Sequence, residues 1–308
     1  MRQSCVYIII IDIVNMLSNN NKFGVIGAGM VGLPLAELLA EKNLLDFILI
    51  RNPEKAANTP EIIRNNAKIY NNISQIPDLP DIIILTVRNS SYKEIADKLA
   101  EQFKSDLANK YVFHTSGPMN LEVLEPLKNY GAYIFSAHPF QTFFEADKSI
   151  FNNLIWGIDK GNTPLDDITK IISMLGGKPL FLNDFQIVHK DQYHLIAVAC
   201  SNFLFGIIEF AKLLGAEINL NNKELISQIV YHTIEVGLNN FEDINKFPIS
   251  GPLSRGDKDV LQGHINSLKY AEHLQKAYKH FSLATIELLE QTNVVSQDKA
   301  REMKELMK

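Results

Sequence analysis

Apolar and polar positions follow two rhythms along this chain, and the change between them divides it. From Lys22 to about Leu182, short apolar runs recur between amphipathic stretches. Phe23-Gly24-Val25-Ile26, Phe47-Ile48-Leu49-Ile50, Asp81–Val87, Tyr111–Thr115, Ala132–Ser136, Leu154–Ile158 and Pro179–Leu182 read as strands. Runs this apolar suit strands covered on both faces, as in a parallel sheet. Between them come helical patterns, first through Leu35, Leu38 and Leu39, later through about Lys104 behind a cap at Ser90 or Ser91. The alternation predicts an α/β fold with a doubly wound parallel sheet over residues 22–183. From Asp184 the period becomes helical, in His189–Leu214, Glu224–Leu238 and Asn266–Glu290, and Gln297–Lys308 reads as a solvated helix. Residues 184–308 are therefore expected to form an all-helical domain, and substrate binding and dimerisation are the roles expected of it.

Residues 1–21 fit neither rhythm. Cys5–Ile11 is apolar but too short to span a bilayer, Asp12 interrupts it, and no small-residue cleavage site follows. Met16 lies just ahead of the first strand, so this stretch is expected to be an extension outside the fold.

Composition narrows the classes. The chain has 308 residues, 46% hydrophobic and 21% charged, enough for about two domains with sizeable cores. A net charge of −5 without a basic block argues against nucleic acid and anionic membranes as partners. Cys5 and Cys200, the only cysteines, make neither a disulfide framework nor a zinc site, which fits the cytoplasm. Cys200 sits in an apolar stretch and is expected in the core.

The chemistry begins at Gly27-Ala28-Gly29-Met30-Val31-Gly32, directly after the first strand. In a strand–turn–helix context, the first glycine makes the turn, the second lets backbone N–H groups approach a pyrophosphate, and the third lets the helix pack closely on the sheet. This is the Rossmann dinucleotide fingerprint. The second strand ends in Arg51-Asn52, where NAD enzymes usually carry an acid for the ribose hydroxyls. A cation and an amide suit a 2′-phosphate, so the expected cofactor is NADP(H). Val87 and Ser116, at later strand ends, complete the expected cofactor contacts.

Substrate chemistry is expected at the carboxyl ends of the strands. His114-Thr115-Ser116-Gly117 and His138-Pro139 lie there, with His114 and His138 as candidates for substrate contact. In the long helical stretch, Lys190 and His194 stand at i, i+4, with Ser201 and Asn202 further along. A lysine can polarise a ketone and donate a proton as hydride arrives. Lys190 is the expected catalytic group, with His194 or Asn202 orienting it. Ser254, Arg255 and Asp257 form a compact polar set in which Arg255 and Ser254 could hold a carboxylate, while Asp257 could bind a hydroxyl or cap a helix.

These motifs, together with Gln141-Thr142-Phe143, Tyr193-His194, Ser201-Asn202 and Gly251-Pro252, resemble a bacterial Rossmann-like family. Its helical C-terminal domain was long of unknown function. Within it the chain resembles the PanG-type ketopantoate reductases, over about residues 22–290. The resemblance implies NADPH-dependent reduction of ketopantoate, a 2-oxoacid, to pantoate for pantothenate and coenzyme A synthesis, by a cytoplasmic homodimer. It is remote from the more widespread ketopantoate reductases, which carry Asn where His194 stands. Another NAD(P)-dependent reductase, of imine or 3-hydroxyacid dehydrogenase type, and a non-catalytic nucleotide sensor are the alternatives.

Overall fold

The computed structural model describes residues 17, 21–243 and 246–308. Eight strands form one sheet: β1 (Phe23–Ile26), β2 (Leu45–Leu49), β3 (Lys68–Tyr70), β4 (Ile82–Leu85), β5 (Tyr111–His114), β6 (Tyr133–Pro139), β7 (Ile155–Asp159) and β8 (Lys178–Phe181). Their order is β3-β2-β1-β4-β5-β6-β7-β8. The strands from β3 to β6 are mutually parallel, and the crossover helices cover both faces. One face packs Val25, Ile84, Phe113 and Phe135 under the helices Gly32–Glu41 and Leu165–Met174. The other packs Ile26, Ile83 and Ile134 under the helix Tyr92–Phe103.

The expected uniformly parallel sheet fails at its last two strands. β7 runs antiparallel to β6, pairing His138 with Gly157 and Pro139 with Trp156. The link from β6 holds one short 3-10 turn, Lys148–Phe151, and no crossover helix, so the chain can only return antiparallel. β8 is parallel to β7. The reversal brings the amino ends of β7 and β8 to the edge where β6 ends. β3 was not legible as a strand, being three residues long and only half-buried.

The chain divides into two compact units, one through Ser201 and one over Asn202–Lys308, rather than near Asp184. The helix that begins at Lys190 belongs to the first unit for its opening turns. Its whole run, Lys190–Glu217, is long and apolar enough to cross a membrane by length and composition. Leu17 is buried in the first core, against the expectation for residues 1–21. Met16 and the Cys5–Ile11 run lie outside the described residues.

The second unit is helical, with a core of Leu261, Ile265, Ile286, Leu289, Ala300 and Met303. Two expectations fail in this unit. The single helix over 266–290 is two, Lys258–Ser267 and Glu272–Gln291, because Leu268 and Ala271 turn inward with Leu274. The last helix, Gln297–Leu306, is not wholly solvated, since Ala300, Met303 and Met307 form a buried stripe. Cys200, at the end of the first unit, is exposed rather than core. The cause is general to this stretch of chain: Leu204–Glu217 and Lys223–Asn239 bury none of their residues within the chain.

Candidate functional site

Two cavities open in the first unit. The first lies where β1, β2 and β4 end. Gly27 has φ +113°, and a Cβ there would stand 2.6 Å from the Thr86 carbonyl oxygen. Thr86 donates its hydroxyl proton to Gly27 O at 2.9 Å and ties the turn to β4. A Cβ on Gly32 would collide with Gly27 O and Thr86 Oγ1. Gly29 differs, because a Cβ there would meet nothing nearer than 4.0 Å. Packing therefore requires the outer two glycines, and the middle one keeps backbone open to a ligand. The helix begins at Gly32, although Leu33 N–H already reaches Gly29 O at 3.1 Å.

This cavity measures about 400 Å³, and Ala28, Gly29, Arg51, Asn52, Lys55 and Arg88 are among its walls. Asn52 uses Oδ1 to accept Lys55 N–H at 3.1 Å, which caps the short helix Pro53–Ala57 and leaves Nδ2 for a ligand. Val87 lines the cavity, as do Ser90 and Ser91. The expected cap by these serines is absent, since Ser91 starts the helix Tyr92–Phe103 without a side-chain bond. Met30 is exposed and Val31 half-buried on the turn, and neither lines the cavity; Ser116 is buried and does not line it. A mouth carrying three cations beside an open glycine turn fits a phosphorylated dinucleotide.

The second cavity, about 620 Å³, lies where β6 ends and β7 and β8 begin. Phe140, Ile155, Leu180 and Ile196 give it apolar walls, Gln141 and Gln186 add amides, and no charged residue lines it. Tyr193 also lines it, and its hydroxyl lies 3.1 Å from His138 Nδ1. A Cβ on Gly157 would collide with that hydroxyl. One on Gly117 would stand 2.8 Å from the His194 ring and 3.1 Å from the His138 ring. The His138 and His194 rings are 5.7 Å apart. Burial, and then the neighbouring His194, lower the His138 pKa to about 4, so its imidazole is neutral at neutral pH. Burial raises the pKa of Tyr193 and keeps its proton on.

Lys190 is placed otherwise than expected of a proton donor. It is 4% exposed and ion-paired with Asp159 of β7 at 2.8 Å. Its ammonium also donates to Met119 O at 3.0 Å and Ser136 Oγ at 3.4 Å, which uses its three protons. Lys190 lines neither cavity. His114 is fully buried against the Tyr92 ring, and burial drives its pKa down to about 3. With no exposed surface it faces neither cavity, unlike His138. Asn202 lies in a π-helical segment, Ala199–Phe203. Each such widening rotates the next turns of the helix out of phase, so the shared face inferred from α-helical spacing does not extend past Val198.

In the second unit, Ser254 Oγ donates to Gly251 O at 3.0 Å, and Arg255 Nε pairs with Asp257 at 2.8 Å. Asp257 precedes the helix Lys258–Ser267 without capping it. The carboxylate partner of Arg255 is thus within its own loop. Lys55, Arg88, Phe140 and Asp159 did not stand out in the sequence, and Tyr193 did so only within the resemblance. Lys55 follows Arg51 by one helical turn, and Asp159 is the lone acid of an apolar strand, so both left a signal.

A Rossmann-like domain matches residues 13–139, and a domain of unknown function, DUF2520, matches residues 154–285. No curated protein matches the chain. Among solved structures, a Bacteroides fragilis protein provisionally named an NADP oxidoreductase is 19% identical, with TM-score 0.69, covering 86% of this chain and 98% of that one. A Thermotoga maritima protein is 21% identical, with TM-score 0.63, covering 87% and 99%. A reductive aminase from Aspergillus terreus, in complex with NADPH and ethyl levulinate, is 14% identical, with TM-score 0.61, covering 94% and 92%. Likeness at these identities establishes the shared fold.

Proposed function

We propose that this chain is a cytoplasmic NADP(H)-dependent oxidoreductase that reduces a carbonyl or imine of a small molecule. The observation that carries the reading is the open Gly29 backbone facing a mouth lined by Arg51, Lys55 and Arg88. In this reading the glycine turn holds the pyrophosphate, and Arg51, Lys55 and Asn52 hold the 2′-phosphate. The bound cofactor supplies hydride. The solved relatives named for NADP or bound to NADPH support the same assignment.

Ketopantoate is the first substrate to test, on the resemblance. Arg255 keeps Asp257 as its partner and has N–H groups left for a second acceptor. An uncharged ketone or cyclic imine is the second, favoured by the absence of charged residues around the cavity at Tyr193. NADPH oxidation with ketopantoate, cyclohexanone and a five-membered cyclic imine separates them. Failure of the chain to bind NADPH overturns the reading and leaves the sensor class without its ligand as well.

We further infer a homodimer built on the second unit. The helices Leu204–Glu217 and Lys223–Asn239 expose Phe205, Ile207, Ile229 and Leu238 and enclose a groove of about 590 Å³. Apolar surface on this scale needs a cover. A second copy suits it better than a bilayer, because the same helical run starts with Lys190 pinned to a β-strand by a buried ion pair. Light scattering should give twice the chain mass, and Ile229→Glu with Leu238→Glu should halve it. A monomeric wild-type chain, or one recovered on vesicles, would contradict the dimer.

A further inference from the structure

Lys190 is withdrawn into the fold, yet a group reduced by hydride must still receive a proton. We propose that Tyr193 gives that proton to the oxygen or nitrogen of the reduced group, and that His138 restores it. This rests on the reductase reading. Tyr193 has the one acidic hydroxyl among the residues lining the uncharged cavity. Its neighbour His138 ends β6, with Nδ1 3.1 Å from the hydroxyl.

Two glycines make this arrangement possible. At Gly157 a side chain would occupy the place of the Tyr193 hydroxyl, and at Gly117 it would press on both His138 and His194. Gly157 belongs to β7, where glycine weakens a strand and calls for a reason of its own. Room for the hydroxyl is that reason. Neighbouring Phe140 packs its ring 5.4 Å from that of Tyr193 and 5.8 Å from that of His138, which fixes both.

The proton balance closes on these atoms. The Tyr193 O–H bond breaks as an O–H or N–H bond forms on the substrate. The His138 Nδ1–H bond breaks as the Tyr193 O–H bond re-forms, Nε2 takes one proton from water, and proton exchange with water between the two ring nitrogens restores the starting tautomer before the next turnover. One proton enters from solvent for each group reduced. Tyr193 is suited to donate because an alkoxide or amide anion is a far stronger base than a phenolate. A neutral imidazole suits the relay, since one nitrogen can release a proton while the other accepts one.

Tyr193→Phe removes only the hydroxyl. Its turnover in NADPH oxidation, with whichever of ketopantoate, cyclohexanone or the cyclic imine the wild type reduces, should fall roughly a hundred- to ten-thousand-fold. NADPH affinity should stay within about threefold, below the roughly tenfold step of one lost charged contact. Gly157→Ala keeps every proton donor but displaces the hydroxyl, and turnover should fall at least about tenfold, the low side of that range. A second readout does not depend on turnover. In protein saturated with NADP+, adding the compound that the wild type reduces should shift the nitrogen-15 resonance of His138 Nδ1, and the shift should vanish in Tyr193→Phe. A Tyr193→Phe enzyme with wild-type turnover, or the same His138 response in both proteins, overturns the proposal alone. A wild-type chain without NADPH binding overturns the reductase reading, and the proton role falls with it.

Discussion

The two cavities of the first unit differ in how their charge is held. At the β1–β2–β4 end, Arg51, Lys55 and Arg88 reach the surface and form no ion pair among the described residues. In the proposed function such cations serve the cofactor and do little for the fold. Beside β6 and β7, the ammonium of Lys190 is buried and committed to Asp159, and the β6–β8 cavity itself is uncharged. The contrast teaches that a cationic side chain in a site need not act on the ligand. In the proposed function charge in the first region binds the cofactor, and in the second it fixes the helix that carries Tyr193 and His194.

Mutation should separate these roles by which property fails. The largest effect is expected for Lys190→Ala, which leaves Asp159 buried without its cation. A buried carboxylate stripped of its pair costs about 3–5 kcal/mol, so the denaturation midpoint should drop sharply. Lys190→Met with Asp159→Leu removes both charges and should recover much of the loss. A Lys190→Ala protein of wild-type stability and no turnover would return the lysine to direct chemistry and erase the contrast.

Arg51→Asp should do the opposite. Stability should hold, while the Kd for NADPH rises about tenfold to a hundredfold, as expected for one charge-assisted contact of about 1.5–3 kcal/mol. NADH affinity should barely change, and titration of both cofactors is the check. Equal loss for the two would show that Arg51 does not meet the 2′-phosphate.

A pH dependence peculiar to the β5 and β6 ends is expected as well. His114 and His138 hold protons in the folded chain only near pH 3 and 4, against 6.5 for free histidine. Between those limits the unfolded chain binds more protons. The stability they contribute is complete above about pH 6.5 and drains as pH falls toward 4. The slope approaches about 1.4 kcal/mol per pH unit for each histidine. Denaturation midpoints at pH 7 and pH 5 measure it, and His114→Gln should flatten it. A midpoint independent of pH would show that the imidazoles are not desolvated.

The glycine-turn end was legible because its determinants are local. Gly27, Gly29 and Gly32 lie within one turn, and Arg51 follows the next strand directly, so backbone sterics and neighbouring sequence fix them together. The second cavity was not legible, because its parts meet only through sheet register. His138, Gly157 and Tyr193 come from a parallel strand, an antiparallel strand and a helix.

The sequence by itself determined the α/β order of elements, the helical second half and the chemistry of the dinucleotide turn, since hydrophobic period and glycine spacing act over a few residues. Only the tertiary structure decided that β7 reverses, that Lys190 turns inward to Asp159 while Tyr193 faces the cavity, and that His114 is sealed while His138 is not. Those outcomes depend on which distant groups share a buried space, and burial decides whether a charge stays free, is paired or is neutralised.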